Sequence, residues 1–552
     1  MSSVRQLADR FLTDYWAARP FEASSLGIPG YDDLVPDASE AGDAAWRGTV
    51  EAVLAEARSL ERGVGPGPDA VTLGCIVEYA HQELAEIDSA AVDHTVTAMA
   101  FSGPAVLLAE AARTLLGDAT AAGDYLTRLR RSGTWIDQQT DRLQAGARKG
   151  RLPVAPLVEQ AIAWAGDVLA SPVPEAVAAP RPPDDWDGAA AWERERDAVA
   201  ADVLVPALRR WVGQLDALLP AARPAERAGL AHLPGGDADY ARAIRAHTTL
   251  PLTAEELHRT GLDEVERLEQ RAIELGATLG LGDLATVQEA LRGSAGRLDP
   301  DAAIAEARQA IRRAEAHAAE VFPPPLPAPC EVTAMPHVVA AAGAAPHYTP
   351  PRHDGGRPGT YWFNTELPTG GTGWDLEVVA FHEAVPGHHL QLSRVLLLDD
   401  LPALQRERFL TVFGEGWGLY AEQLAEETGL YSDSRAVLGA ITASLMRAAR
   451  LVVDTGLHAF GWSRAQALGY FVAHVPMPPE FLAAEIDRYI AMPGQALAYL
   501  TGKREILAAR EVARSRLGPQ FSLPEFHAVV LDSGCLPMPV LHRRIADWLD
   551  GA

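Results

Sequence analysis

Histidines and a glutamate near residue 385 have the types and spacing to bind a metal ion and activate water. Zinc peptidase helices place two histidines at positions i and i+4, with a glutamate beside the first. Here His382 and Glu383 supply the first half of that pattern, but Pro386 occupies position i+4. The next histidines are His388 and His389, six and seven residues after the first.

The spacing of these histidines requires a break in the helix that carries them. On an undistorted helix His389 lies on the His382 face but about 10 Å further along the axis. Two imidazoles that share one zinc ion must each approach it to about 2.0–2.1 Å. Pro386 and Gly387 predict the break, because proline removes a backbone hydrogen bond and glycine tolerates a bend. Either His388 or His389 could then return to the ion, and the spacing leaves both open.

A third ligand is expected from the segment FGEGWGLYAEQLAEE, which predicts a second helix with three glycines that allow close packing. Glu415 lies 33 residues after His382, and Glu422 follows two turns later. We favour Glu415 and keep Glu422 as the alternative. Two histidines and a glutamate with an open fourth position are typical of catalytic zinc, whereas structural sites fill all four. Glu383 would then be the general base, and the competing interpretation is a buried histidine cluster at a helix kink.

The segment RAARLVVDTGLHAFGW places Arg450, Asp454 and His458 at successive i+4 steps of a predicted helix. We predict that His458 binds substrate or stabilises an oxyanion, with Asp454 orienting its imidazole, and that Arg450 contributes to substrate binding. The alternative is a buried Arg450–Asp454 pair that holds two helices together.

Further candidates lie in EIDRYIAMPGQALAYLTGK. Tyr489 is predicted to donate a hydrogen bond to the oxyanion of a tetrahedral intermediate. Arg488 could bind a substrate carboxylate through two parallel hydrogen bonds, with Gln495 beside it. The alternative for Arg488 is a structural ion pair with Glu485.

The segment RPGTYWFNT predicts a short edge strand on which a peptide could lie by β-augmentation. Tyr348, Tyr361 and Asn364 would then line the cleft, and the alternative is that these residues belong to the core.

Most of the chain that must position these residues has the periodicity of amphipathic helices. Thr253 and Glu256 form a capping-box pattern, and Asp299 precedes Pro300 at the start of a long helix. Between residues 331 and 373 the chain is rich in glycine and proline, with β-prone pieces at 330–333 and 360–363, and a glycine-rich loop spans 370–373. These features predict a mainly α-helical fold with a small sheet near the metal site. We expect one domain with two parts, residues 1–320 covering a cleft and residues 321–552 carrying the site.

The composition narrows the possible partners and location. The 552 residues include 48 Lys and Arg against 74 Asp and Glu, a formal charge of −26, which disfavours nucleic acid and anionic membranes. Cys75, Cys330 and Cys535 stand far apart without CxxC spacing, so no disulfide framework or zinc knuckle is indicated. Neither a signal peptide nor a run of 18 apolar residues is evident, and a cytoplasmic location is expected.

HEAVPGHHLQ followed by EGWGLYAEQL resembles the bacterial family known as domain of unknown function 885. PFEASSLGIPGYDDLVPD, RPGTYWFNT and RAARLVVDTGLHAFGW are similar to further family segments, so the resemblance covers nearly the whole chain. That family is thought to be a distant relative of the gluzincin peptidases, such as thimet oligopeptidase, angiotensin-converting enzyme and carboxypeptidase Taq. The resemblance implies a large helical fold with a deep central cleft and a short sheet. It also implies His382 and Glu415 as ligands and Glu383 as base.

The sequence therefore predicts a zinc-dependent metallopeptidase that cleaves short peptides or peptide-like amides. One alternative is metal-dependent hydrolysis of a non-peptide amide or ester on the same scaffold. Another is a non-catalytic binding protein with a vestigial metal site. The oligomeric state cannot be inferred from the sequence.

Overall fold

The computed structural model describes residues 2–183, 186–293, 299–335, 340, 345–353, 355–365 and 374–551. It is mainly α-helical, as the periodicity predicted. The helices before the sheet are Ser3–Ala18, Pro20–Leu26, Glu40–Glu61, Pro68–Ser89, Gly103–Arg113, Ala119–Arg148, Ala155–Val168, Glu175–Ala178, Ala189–Val199, Val205–Leu218, Gly236–Thr248, Ala254–Thr278, Leu284–Gly293 and Pro300–Val321. Those after it are Leu376–Glu383, His388–Val395, Ala403–Glu407, Thr411–Glu427, Ser434–His458, Arg464–His474, Pro479–Ala491, Ala498–Leu517, Leu523–Leu531 and Met538–Gly551.

Two helix starts follow directly from local sequence. The Thr253 hydroxyl accepts a hydrogen bond from the Glu256 backbone N–H at 3.2 Å, and the Glu256 carboxylate accepts one from the Thr253 N–H at 2.9 Å. The Asp299 carboxylate likewise accepts bonds from the first N–H groups of the helix Pro300–Val321. These side chains satisfy donors that have no partner inside the first turn, so both predicted caps are confirmed.

The described part of the chain forms a sheet of three strands, β1 (Glu331–Ala334), β2 (His347–Thr349) and β3 (Thr360–Phe363). β3 is central, because it pairs in parallel with β1 and antiparallel with β2. The prediction that RPGTYWFNT provides an edge strand is therefore wrong: both edges of β3 are already hydrogen-bonded, and β2 is an edge instead. The predicted loop at 370–373 lies outside the described residues.

Hydrophobic packing connects distant parts of the chain. The largest core cluster includes Leu7, Tyr79 and Ile304 together with Phe381 and Trp417. A second cluster joins the helix Ala254–Thr278 to the helix Ser434–His458. Both clusters contain residues from either side of the predicted division at residue 320. The division into a covering part and a site-bearing part stays a prediction.

Among the described helices, Ser434–His458 alone is long and apolar enough to cross a membrane by length and composition. Most of it is buried inside the fold, and core helices pass the same test. Arg450, Asp454 and His458 interrupt its apolar character and are all buried.

Candidate metal centre

The two histidine-bearing helices are separated by a sharp break at the predicted position. The first histidine helix is Leu376–Glu383, and the second is His388–Val395. A Cβ atom on Gly387 would lie 1.9 Å from the His382 carbonyl oxygen, so only glycine fits there. The carbonyl of Pro386 accepts a hydrogen bond from the Trp417 indole N–H at 2.9 Å. A continuous helix would hold the histidines further apart, and this break brings them closer together.

The break brings His388 back to His382. The Nε2 atoms of His382 and His388 lie 3.4 and 3.6 Å from the same Glu415 carboxylate oxygen. Their ring centroids are 4.7 Å apart and nearly perpendicular. Ligand atoms of His382, His388 and Glu415 lie within 4.8 Å of one another, so one divalent cation could contact all three. All three side chains line a cavity.

His389 has a different role, although it follows His388 directly. Its Nε2 donates to the Ala328 carbonyl at 2.7 Å, and its Nδ1 lies 3.0 Å from the Tyr348 hydroxyl. Both nitrogens are therefore bonded to protein groups, and burial lowers the pKa of His389. Of the two histidines that the spacing left open, the structure places His388 at the cluster and His389 in the packing behind it.

Glu415 and Glu422, the two candidates for the third ligand, contact different nitrogens of His382. Glu422 accepts a hydrogen bond from the Nδ1 of His382 at 2.8 Å, which leaves the Nε2 of that ring free to bind a cation. Glu415 instead faces the Nε2 atoms. Gly418 permits this approach, because a Cβ atom there would lie 2.5 Å from the His382 ring. The glycines of the Glu415 helix (Thr411–Glu427) thus bring its carboxylates to the histidines.

The electrostatics of this cluster favour a positive charge. Burial lowers the pKa of His382, but the carboxylates of Glu415, Glu422 and Glu383 outweigh it and raise that pKa to about 10. Burial raises the pKa of Glu415, and His382 and His388 reverse this, holding it well below its usual range. Carboxylates that attract a proton to His382 also attract a divalent cation, which would displace that proton.

Glu383 is held beside the cluster by the edge strand of the sheet. The backbone N–H of Tyr348 donates to the Glu383 carboxylate at 2.8 Å. The Tyr361 hydroxyl is fully buried and has no hydrogen-bond partner among the described residues. Burial raises the pKa of Tyr361, and the Glu383 carboxylate adds to the effect, so this hydroxyl remains a neutral donor. Glu383 and Tyr361 both line the same cavity as the histidines.

That cavity has a volume of 1160 Å³. Its lining includes Tyr15, Arg19 and Glu83 from the N-terminal helices, as well as the histidines and Glu383. Known small-molecule sites span about 300–1,000 Å³, so this space suits a small or extended molecule rather than a folded one.

The residues predicted from EIDRYIAMPGQALAYLTGK form one hydrogen-bonded group. The Tyr489 hydroxyl donates to Glu485 at 2.6 Å and accepts from Arg450 Nε at 2.8 Å. Arg488 donates to Glu485 and, at 2.6 Å, to the side-chain amide oxygen of Gln495. Arg450 and Arg488 line the cavity, whereas Tyr489 lies behind them, fully buried. The predicted oxyanion role of Tyr489 has no support in this geometry, because its hydroxyl is used within the group.

His458 also lies away from the cavity. Its Nδ1 accepts from the Leu230 N–H at 3.1 Å, and its Nε2 donates to the Tyr489 carbonyl at 3.0 Å. Asp454 is bound by the Tyr240 hydroxyl and the Gly494 N–H, not by His458 or Arg450. Asp454 therefore does not orient His458 through a hydrogen bond, although this was predicted. The alternative Arg450–Asp454 pair is not formed either.

Two further placements complete the predicted set. Tyr348 lines the cavity, as expected, while Asn364 is buried and donates to the Ala340 carbonyl at 3.1 Å. No role was predicted for Tyr499, which lies in the segment EIDRYIAMPGQALAYLTGK, yet it lines the cavity beside Glu415. Its helix contacts the Glu415 helix at Gly416 and Gly502, where a Cβ atom on Gly416 would lie 2.6 Å from the Gly502 Cα. Gly502, three residues after Tyr499, was the feature of the sequence that could have indicated this close approach of the two helices.

Comparisons with known proteins agree with this architecture. The chain is similar over its full length to a crystal structure from Colwellia psychrerythraea described as a "putative lipoprotein", with 27% identity, a TM-score of 0.91 and 99% of that chain covered. A structure from Shewanella oneidensis, described as a "putative lipoprotein of unknown function", shares the fold at 18% identity, with a TM-score of 0.74 and coverage of 99% of this chain and 100% of the other. No curated protein matches. The model of the family described as bacterial protein of unknown function (DUF885) matches residues 20–545, and this chain therefore belongs to that family.

Proposed function

We propose that this protein is a zinc-dependent hydrolase, a metallopeptidase that cleaves short peptides or peptide-like amides. The observation that carries the proposal is the convergence of His382, His388 and Glu415 on one point in the wall of a cavity. Glu383, which directly follows the first histidine, lines the same cavity.

The donor set fits zinc. Two imidazoles and one carboxylate with an open position match catalytic zinc sites, and structural sites usually have four protein ligands. The Glu422 carboxylate fixes the His382 tautomer, as outer partners of ligating histidines usually do. When bound, the ion lowers the pKa of water and polarises a carbonyl group.

Glu383 is the proposed general base. The Tyr348 N–H holds one of its carboxylate oxygens, which fixes the side chain relative to β2. Its other oxygen can accept a proton from the attacking water and pass it to the leaving nitrogen.

Tyr361 is the proposed donor to the substrate carbonyl. Its buried hydroxyl lacks a partner among the described residues, and an unpaired buried donor is costly unless a ligand satisfies it. This assignment keeps Tyr361 as a substrate-binding residue and moves the oxyanion role to it from Tyr489.

A peptidase relationship to the gluzincins, with a central substrate cleft, is part of this proposal. It is supported by the helical fold, the small sheet beside the histidines and the cavity volume of 1160 Å³. Function is inferred from the site, because one fold can host several activities.

The structural neighbours also bear on the cellular location of this protein. Two structural neighbours are each described as a "putative lipoprotein", which suggests a location outside the cytoplasm. We propose that this chain acts in the same environment, in place of the cytoplasmic location expected from its composition.

Metal analysis and a peptide digest test the proposal. Zinc-loaded protein should hold one ion per chain and cleave a mixed library of short peptides. Glu383→Gln should keep the ion and lose about 10²–10⁴-fold in cleavage rate, the usual contribution of a general base.

A matched control exists on the same helix. Glu377 is buried but bonds to Arg313 and to the Ser432 N–H, and it does not line the cavity. Glu377→Gln should therefore retain both zinc and cleavage. Absence of stoichiometric zinc, or equal cleavage by wild type and Glu383→Gln, would overturn the proposal.

A further inference from the structure

Four hydrogen-bonded residues, three of which line the cavity of the candidate metal centre, carry two positive charges and one negative charge. We call this group, Arg450, Arg488, Glu485 and Tyr489, the arginine cluster. Both guanidinium groups donate to the same Glu485 oxygen at 2.9 Å, and the neutral Tyr489 hydroxyl donates to it at 2.6 Å. Two cations are thus paired with one carboxylate. The nearest acid along the Arg450 helix, Asp454, bonds elsewhere.

The excess positive charge is buried. Arg450 is only 7% exposed, and its Nη1 has no hydrogen-bond partner among the described residues. An incompletely paired buried cation costs free energy that a bound anion would recover. Buried polar atoms without a partner are uncommon in native proteins, and a bound ligand is one explanation for them.

The helix that carries Tyr499 connects the arginine cluster with the Glu415 helix. The Arg450 guanidinium lies 4.4 Å from the centroid of the Tyr499 ring. Tyr499 in turn lies one turn before Gly502, which contacts Gly416, the neighbour of Glu415. Arg450, Arg488, Tyr499 and Glu415 all line the same cavity. A substrate bound at the histidines can therefore extend towards the arginines.

We infer that the arginine cluster binds the C-terminal carboxylate of a peptide, which makes the protein a carboxypeptidase that releases short C-terminal fragments. One excess positive charge matches one carboxylate, and a guanidinium pairs with a carboxylate through two parallel hydrogen bonds. The inference rests on the proposed function, because cleavage would occur at the His382 centre. The length of the released fragment would measure the span between the two sites, at about 3.3–3.6 Å per residue.

Binding to the metal-free protein tests the inference independently of activity. Three peptides of one sequence are compared by calorimetry: a free C-terminal acid, its C-terminal amide, and an amide with glutamate as last residue. We expect the free acid to bind about tenfold more tightly than either amide, the usual effect of a hydrogen bond to a charged group. Equal binding of acid and amide, or binding of the glutamate peptide as tightly as the acid, would overturn it.

Variants of the arginine cluster test whether it causes the preference for the free acid over the amide. Arg450→Met and Arg488→Met should each remove most of the difference between acid and amide. Glu485→Gln should increase it, because the cations lose their internal partner, and a purely structural cluster predicts no such gain.

Arg464 provides the matched control. It binds Asp487 bidentately at 2.6 and 2.9 Å on the neighbouring helix and does not line the cavity. Arg464→Met should keep the acid preference. If Arg450→Met proves unfolded by circular dichroism, Arg488→Met and Glu485→Gln still decide the outcome through their opposite expected signs.

Digests with the zinc-loaded protein separate this inference from the proposed function. Cleavage near the C-terminus of free acids, with amides resistant, supports both. Cleavage of amidated peptides at internal bonds retains the hydrolase but rejects the carboxypeptidase. No cleavage of any peptide, with the acid preference still present in binding, rejects the peptidase and leaves a carboxylate-binding site.

Discussion

Two buried histidines in this protein, His382 and His458, have different surroundings. Around His382, two imidazoles and Glu415 converge at the wall of a large cavity. Around His458, the imidazole bonds to the backbone groups of Leu230 and Tyr489, and it does not line that cavity. A histidine on an apolar helix face can thus belong to a site or to the core, and its partners decide which.

The pKa values of the two histidines move in opposite directions for this reason. Burial, with a smaller contribution from Arg223, lowers the pKa of His458 to about 3, so its ring is neutral and suited to hydrogen bonds with the backbone. Burial acts on His382 as well, but three carboxylates reverse it and raise the pKa to about 10. Negative partners around a buried imidazole therefore distinguish a cation site from a packed core.

Replacing the two adjacent histidines separately is the strongest test of this contrast. His388→Ala removes a ligand atom and should weaken zinc binding more than 100-fold. This loss exceeds the one expected for a residue that only hydrogen-bonds to a ligand. His389→Ala should keep zinc and lose stability instead, because Ala328 and Tyr348 lose a partner. Zinc competition with a chelator and chemical unfolding measure the two effects. The assignment fails if His389→Ala is the variant that loses zinc.

Glu422→Gln should have a smaller effect on the same site. Glu422 bonds to His382 Nδ1 at 2.8 Å, and losing the charge of such a partner typically costs 10–100-fold in metal affinity. The same chelator competition measures it. An effect as large as that of Glu415→Gln would instead make Glu422 a direct ligand.

His458→Phe tests the core side of the comparison. The replacement leaves the Leu230 N–H and the Tyr489 carbonyl without partners, at about 1–3 kcal/mol each. The free energy of unfolding in urea should fall accordingly, while zinc content stays at wild-type level. Loss of zinc without loss of stability would assign His458 to the metal centre.

Asp454 offers a test through pH. Burial raises its pKa from 3.8 to about 7, so the folded protein holds this proton more tightly than the unfolded chain does. The resulting stability is fully present below about pH 3.8 and is lost as pH rises through 7, at up to about 1.4 kcal/mol per pH unit. Asp454→Asn should remove this contribution, as urea unfolding from pH 4 to 8 would show. An unchanged pH profile would contradict the shift.

Local sequence was sufficient for much of the fold and for the composition of the site. The caps at Thr253 and Asp299 and the β-prone piece at 360–363 depend on neighbouring residues, and the structure has them where they were predicted. The helix break at Pro386 and Gly387 has the same origin, since a proline removes a hydrogen bond wherever its helix lies.

Strand order could not be predicted in the same way. Whether β3 is an edge or a central strand depends on β1 and β2, which pair with it from other parts of the chain. The role of Glu422 likewise depends on a histidine 40 residues away.

The sequence by itself therefore determined that this chain is helical and that His382, Glu383 and Glu415 are its candidate chemical residues. Tertiary structure alone decided that His388 rather than His389 joins them, and that His458 and Tyr489 lie in the packing. The physical reason is that residue type and spacing limit what a side chain can do, whereas its hydrogen-bond partners and access to a cavity come from distant segments. Tyr499, for which no role was predicted, reaches the cavity beside Glu415 because of that packing, whereas Tyr361 was already expected at the cleft.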